Sequence, residues 1–155
     1  MEKATFAAGC FWGIEASFRA LKGVKETRVG YTGGSLRNPS YEEVCTGTTG
    51  HAEAVEVLFD PSEISYQDLL AVFWKIHDPT TLNRQGPDIG DQYRSAVFYH
   101  SPEQKKILEA SLAEIEKKHL FSRPVVTQVV PVETFYAAED YHQRYLEKQG
   151  RFRCH

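Results

Sequence analysis

The fold follows from one stretch of sequence, residues 3–21, which reads KATFAAGCFWGIEASFRAL. Its first six residues form a short, mostly apolar run that is followed by Gly9, which predicts a strand. Apolar residues then recur at three- and four-residue steps, at Phe11, Ile14, Phe18 and Leu21, which predicts one face of a helix ending near Gly23. The stretch is therefore a strand, a turn and a helix, with Cys10 at the turn.

The same patterns continue outward from this unit. Further strands are predicted at 24–31, 52–59, 94–100 and 125–132, and further helices at 38–44, 65–76, 101–115 and 137–146. Helix starts are expected at Asn38-Pro39, at Ser65, and at Ser101-Pro102 with Gln104 completing a capping box. Residues 77–93 form a long polar connection, a type that is often functional. Strands alternating with helices predict a mixed α and β fold with a helix-covered sheet.

Composition and charge narrow the class of protein. The 155 residues are 41% hydrophobic and 25% charged, which is typical of one soluble globular domain. The net charge of −3 argues against binding to nucleic acid or acidic membranes. The longest apolar run, Leu69 to Trp74, is too short to span a bilayer. Residues 7–10 resemble a lipoprotein cleavage site, but too few residues precede them, so a cytoplasmic location is expected.

Three cysteines, at positions 10, 45 and 154, are too few and too widely spaced for a disulfide-stapled scaffold. They form no Cys-x-x-Cys pair, and no set of Cys and His residues has metal-ligand spacing, so no metal site is expected. Cys154 follows Arg151 and Arg153, which favour a thiolate, and it could be a reactive tail thiol or an incidental one. Cys45 is interpreted as structural.

Two residues are candidates for acid and nucleophile. Cys10 is expected at a helix N-terminus, where the helix dipole favours a thiolate, although a small buried core cysteine is the alternative. Glu53 shares a strand face with Val55, Val57 and Phe59. If that face is buried, desolvation would raise the pKa of Glu53 and make it a usable acid; otherwise it is an exposed strand end.

Weaker candidates surround these two. Phe11 and Trp12 could wall an apolar pocket beside Cys10 or simply pack in the core. Tyr41 and Tyr93 could donate hydrogen bonds to a substrate oxygen, and Asp88 lies in the long connection. Several histidines could serve as a base for a cysteine hydrolase, and the sequence does not choose among them.

Several motifs together resemble the A-type peptide methionine sulfoxide reductases. They are GCFW at 9–12, GHAEAV at 50–55, HDPT at 77–80, GPD at 86–88, QYRS at 92–95 and AEDYHQ at 138–143. The resemblance extends from about Thr5 to Leu146. It implies an α+β, two-layer sandwich with a mixed sheet, a ferredoxin-like βαβ core and long irregular loops. It also implies reduction of the S epimer of methionine sulfoxide, free or protein-bound, without metal or bound cofactor.

The resemblance also implies residue roles. Cys10 corresponds to the nucleophile, Phe11 and Trp12 to the pocket for the substrate methyl group, and Glu53 to the acid. Tyr41 and Tyr93 correspond to hydrogen-bond donors to the sulfoxide oxygen. Asp88 and His142 correspond to positions that hold water and orient their neighbours.

The C-terminal end departs from part of that family, which carries two cysteines there. Here only Cys154 is available, so we expect a Cys10–Cys154 disulfide that thioredoxin, or dithiothreitol in vitro, reduces directly. We expect a single catalytic domain over residues 1–155, with 147–155 as a tail, acting as a monomer. Two alternatives stay open: a cysteine peroxidase, and a non-catalytic binder of methionine sulfoxide or apolar peptides.

Overall fold

The structure is a computed structural model, and it describes residues 1–148. The strands are β1 (Glu2–Ala8), β2 (Val24–Thr32), β3 (Ala52–Phe59), β4 (Arg84–Gln85), β5 (Asp88–Ile89), β6 (Ser95–Tyr99), β7 (Gln128–Pro131) and β8 (Tyr136–Ala137). The helices are α1 (Phe11–Arg19), α2 (Tyr41–Cys45), α3 (Tyr66–Lys75), α4 (Pro102–Lys117) and α5 (Tyr145–Lys148). Two 3₁₀ turns lie at Asp91–Tyr93 and Asp140–His142.

Six strands form one mixed sheet in the order β7-β6-β1-β3-β2-β8. Every neighbouring pair is antiparallel except β6 and β7, which are parallel. The units β1-α1-β2 and β3-α3-β6 each connect parallel strands with one strand between them, which gives the interleaved βαβ arrangement of a ferredoxin-like core. The predicted fold class is confirmed.

The helices α1, α3 and α4 cover one face of this sheet. Their buried side chains belong to the same hydrophobic cluster as Phe6 of β1 and Val55, Val57 and Phe59 of β3. A smaller cluster on the other face contains Ala52, Ala54 and Phe98. The two faces predicted for β3 are therefore confirmed, and the face that carries Glu53 is the one that points toward the helices.

The predicted helix starts are confirmed for α3 and α4, and two details of the capping prediction are wrong. Ser65 caps α3 in a capping box with Asp68, and Ser101 caps α4 with Pro102 in its first turn. However, α2 is capped by Ser40 rather than Asn38, whose φ of 48° lies outside the helical range. Gln104 makes no capping box because its side chain accepts from His100 N and donates to Lys3 O.

The helix predicted over 137–146 is wrong. That segment contains β8, a 3₁₀ turn and only the start of α5, which extends through the first two residues of the expected tail. Several of its polar groups bond to distant elements: Gln143 bonds both the N–H and the C=O of Val29. Arg144 has a φ of 52°, which interrupts any continuous helix. Tertiary contacts therefore override the local helical pattern.

The connection at 77–93 is ordered by a short hairpin of β4 and β5. Gln85 accepts a hydrogen bond from Asp78 N and donates to Asp78 O and Thr81 Oγ1, which closes the loop on itself. No helix among residues 1–148 is both long and apolar enough to cross a bilayer.

Candidate active site

Cys10 lies where β1 ends and α1 begins. Gly9 makes the turn with a φ of +100°, and Cys10 occupies the N-cap position with a partly buried side chain. The partial positive charge of a helix N-terminus stabilises an anion at this position. The sequence prediction of a helix-start cysteine is confirmed, and the alternative of a fully buried core cysteine is not what the structure contains.

Glu53 lies beside the same helix start. It pairs with Tyr31 in the register between β3 and β2, and only 1% of its surface is exposed. Its Oε1 accepts from Phe11 N at 3.3 Å, and its Oε2 accepts from Gln92 Nε2 at 2.8 Å. The carboxyl group is therefore buried and held by two donors next to Cys10, rather than exposed at a strand end.

Tyr41 and Tyr93 contribute hydroxyl groups from two different elements of the fold. Tyr41 is the first residue of α2, and Tyr93 ends the 3₁₀ turn that follows the long connection. Burial raises the pKa of each hydroxyl well above its usual range, and the negative charge of Glu53 raises both further. Both side chains are therefore proton-bearing donors at any physiological pH.

The two aromatic residues after Cys10 have different environments. Phe11 is buried in the main hydrophobic cluster, with its ring 5.8 Å from that of Tyr31. Trp12 is only partly buried and stacks on Tyr145, with 4.0 Å between ring centroids and 14° between planes. Phe11 therefore also serves core packing, whereas Trp12 presents an aromatic surface at the edge of the core.

His142 joins this aromatic group from the C-terminal segment. Trp12 Nε1 donates to His142 Nδ1 at 3.0 Å, so a neutral ring carries its proton on Nε2. Burial lowers the pKa of His142, while the nearby charges of Glu139 and Glu42 oppose that shift. Glu139 in turn accepts from the Tyr31 hydroxyl at 2.9 Å and from Tyr41 N at 3.0 Å.

The structure places the other candidates as follows. Asp88 lies in β5, close enough for its charge to raise the pKa of Tyr93. Cys45 ends α2, is exposed, and has its Sγ 3.5 Å from Gln92 Nε2, so it borders the site, although no sequence pattern predicts this position. Cys154 lies outside the described residues.

Three residues of the site were missed as candidates: Gln92, Tyr31 and Glu139. Gln92 and Glu139 stand inside the motifs QYRS and AEDYHQ, so those motifs could have identified them. Tyr31 carries no local signal, because its role depends on the pairing of β2 with β3.

Two other histidines, His51 and His77, make hydrogen bonds that serve the fold. His51 accepts from Gly34 N through Nδ1 and donates to Leu36 O through Nε2. His77 bonds Phe73 O and the Ser95 hydroxyl. Within residues 1–148, no group of three or more His, Cys, Asp or Glu side chains could hold a metal ion.

A thiol at a helix start, a buried carboxyl group and two hydroxyl donors define the site of a thiol-dependent enzyme. The family model for peptide methionine sulfoxide reductase matches residues 2–155, and the chain belongs to that family. It is an oxidoreductase that reduces methionine sulfoxide to methionine.

Individual relatives agree with this assignment. The chain is 65% identical over 150 residues to the peptide methionine sulfoxide reductase MsrA of Methanosarcina acetivorans, covering 97% of this chain and 80% of the relative. It is similar to the crystal structure of reduced Mxr1 from Saccharomyces cerevisiae, with a TM-score of 0.90, 39% identity, and coverage of 96% and 86%. It also resembles Mxr1 in complex with Trx2, with a TM-score of 0.65, 27% identity, and coverage of 93% and 84%.

Proposed function

We propose that this chain reduces the S epimer of methionine sulfoxide with Cys10 as nucleophile and Glu53 as proton donor. The observation that carries the proposal is the buried Glu53 carboxyl group, hydrogen-bonded to the backbone N–H of the residue after Cys10. A sulfoxide oxygen is a poor leaving group unless it is protonated, so a thiolate attacking sulfur needs an acid directed at that oxygen.

In the reductive step the Cys10 thiolate attacks the substrate sulfur while Glu53 gives its proton to the sulfoxide oxygen. The attack forms a bond between Cys10 Sγ and the substrate sulfur. The protonated oxygen is then transferred to Sγ while the substrate S–O bond and the new Sγ–S bond both break, which leaves a sulfenic acid on Cys10 and releases methionine. Tyr41 and Tyr93, which stay protonated, donate hydrogen bonds to the same oxygen as its negative charge grows.

The substrate methyl group is proposed to lie against Phe11 and Trp12. The partly buried face of Trp12, backed by Tyr145, offers an apolar surface next to Cys10. Asp88 and His142 are proposed to hold water and to orient their neighbours. The His142 ring already fixes Trp12 through its hydrogen bond to the indole N–H.

The recycling half of the reaction is proposed to use Cys154 and thioredoxin. The Cys154 thiol would condense with the sulfenic acid, releasing water and forming a Cys10–Cys154 disulfide. A thioredoxin dithiol would then reduce that disulfide and become oxidised itself. The similarity to Mxr1 in its complex with Trx2 supports a thioredoxin partner.

Single-turnover methionine release from each sulfoxide epimer, followed by a thiol count, tests the proposal. The wild type should release about one methionine per enzyme from the S epimer and lose two thiols. Cys10→Ser should release none, even with dithiothreitol, and residual turnover would contradict the nucleophile assignment. Activity on peroxide but not on sulfoxide would favour the peroxidase alternative, and binding that is indifferent to Cys10→Ser would favour a simple binder.

Cys45 and Cys154 are distinguished by matched serine variants. Cys154→Ser should retain the single turnover but lose recycling by thioredoxin, whereas Cys45→Ser should retain both. Unchanged thioredoxin-dependent rates in Cys154→Ser would transfer the resolving role to Cys45, whose sulfur lies beside Gln92.

The remaining parts of the proposal concern the whole protein. A single catalytic domain, a monomeric state, a cytoplasmic location and the absence of a bound cofactor are inferred from sequence and resemblance. Sedimentation equilibrium of the full chain tests the monomeric state, for which a mass near 17.6 kDa is expected.

A further inference from the structure

Gln92 is a buried amide in the centre of the site, with 4% of its surface exposed. It belongs to the same 3₁₀ turn as Tyr93, so one turn delivers both an amide and a hydroxyl group. Its Nε2 donates to Glu53 Oε2 at 2.8 Å and lies 3.5 Å from Cys45 Sγ. The two acceptors, Glu53 Oε2 and Cys45 Sγ, therefore fix the direction of the amide nitrogen.

The bond from Gln92 acts on the carboxyl group that delivers the proton. Burial penalises the charged form of a carboxyl group, whereas a donor bonded to it favours that form. Phe11 N holds Oε1 of Glu53 near the helix start, and Gln92 holds Oε2 from the opposite loop. The carboxylate left after proton transfer therefore has a fixed position and a neutral donor for its charge.

We propose that Gln92 is a positioning residue for the reductive step: it orients the Glu53 carboxyl group and stabilises the carboxylate that remains once the proton has gone to the sulfoxide oxygen. The inference rests on the acid role proposed above for Glu53. Gln92 exchanges no proton itself, because an amide does not titrate.

The groups that face Glu53 define which pH dependence is expected. Tyr31 of β2, Tyr41 of α2 and Tyr93 of the 3₁₀ turn surround it, and burial raises the pKa of each hydroxyl, with a further increase from the charge of Glu53. Cys10 and Cys45 are the thiols on the adjacent ends of α1 and α2. His142, whose pKa burial lowers, is a further titratable group of the site, so the Glu53→Gln variant identifies the limb of the pH profile that the carboxyl group produces.

The test is the pH profile of single-turnover methionine release from the S-sulfoxide in Gln92→Met. Methionine has a similar length but no N–H donor. The plateau rate should fall about 10- to 100-fold, as expected for loss of a hydrogen bond to a charged group. The alkaline limb should move up by about one pH unit, because a less stabilised carboxylate keeps its proton to higher pH.

Two further variants separate positioning from a structural effect. Gln104→Met removes a buried amide that bonds His100 N and Lys3 O, at the end of β1 far from Cys10, and should leave the alkaline limb in place. Gln92→Glu keeps the shape and places a second carboxyl group beside Glu53. Because two neighbouring carboxyl groups share a proton, the alkaline limb of the pH profile should move to still higher pH. This variant tests the proposal if Gln92→Met does not fold.

The outcomes distinguish this inference from the proposed function. The role of Gln92 would be overturned if both Gln92 variants had a lower plateau rate but an unmoved alkaline limb. Wild-type rates in these variants would overturn it as well. Glu53→Gln should remove the alkaline limb altogether. If that limb persists in Glu53→Gln, the acid assignment fails; if it disappears while the Gln92 variants leave it unmoved, only the inference about Gln92 fails.

Discussion

Gly9→Ala should destabilise the protein by about 2–6 kcal/mol. The φ of +100° at Gly9 strains any residue with a Cβ, at a cost of about 1–3 kcal/mol. A Cβ there would also lie 2.8 Å from Cγ and 2.9 Å from Cβ of Gln85. Gln85 cannot swing away easily, because its amide makes hydrogen bonds to both Asp78 N and Asp78 O, and such overpacking costs about 1–3 kcal/mol.

Gly47 offers a matched control for this substitution. Its φ is +76°, and a Cβ there meets no atom within 4 Å, so Gly47→Ala carries backbone strain without the contact. Urea unfolding followed by circular dichroism measures both variants, with a lower midpoint at an unchanged slope expected. Gly9→Ala should be at least about 1 kcal/mol worse than Gly47→Ala, and part of that excess should disappear in Gly9→Ala/Gln85→Ala. Equal destabilisation of the two glycine variants would refute the reasoning.

Two further predictions concern pH. Burial lowers the pKa of His77 to about 4, so the midpoint of its NMR titration should lie near pH 4, and a midpoint near 6.5 would contradict this. The stability that its neutral ring contributes should be present above pH 6.5 and lost as the pH falls toward 4. Burial raises the pKa of Glu15, so the stabilisation from its neutral form should be present below pH 4.5 and lost as pH rises through the folded-state pKa. Glu15→Gln should therefore gain stability relative to wild type between pH 4 and pH 7 in urea titrations, and a constant difference would exclude this.

The parts of the fold that sequence predicted are those with a strong local pattern. The strand-turn-helix unit around Cys10 and the strand at 52–59 have periodic apolar residues. The helices that begin after Ser65 and Ser101 combine such periodicity with a recognisable cap. The failures lie where distant contacts decide the backbone. The segment at 137–146 has helical spacing, but its side chains are occupied by β2 and α2 through Gln143 and Glu139.

The candidate site divides in the same way. Cys10 could be found because a turn position has a local signal, and Glu53 because alternation predicts its face. Gln92 lies within the motif QYRS, but its contact with Glu53 could not be predicted, and Tyr31 has no local signal, since both roles depend on which loop and which strand lie against Glu53. The burial of Glu53 also required the tertiary structure, because alternation alone does not decide whether a strand face meets helices or water.

The arrangement around Glu53 also limits which groups can produce a pH-dependent rate. Burial and the charge of Glu53 both hold the Tyr41 and Tyr93 hydroxyls in their protonated form, so neither can lose a proton near neutral pH. Burial also lowers the pKa of His142, which favours the neutral ring whose Nδ1 accepts from Trp12. A bell-shaped profile for the reductive step should therefore report the Cys10 thiol and the Glu53 carboxyl group as one coupled pair. Because the hydroxyls bear their protons throughout, replacing Tyr41 or Tyr93 with Phe should lower the plateau and leave both limbs in place.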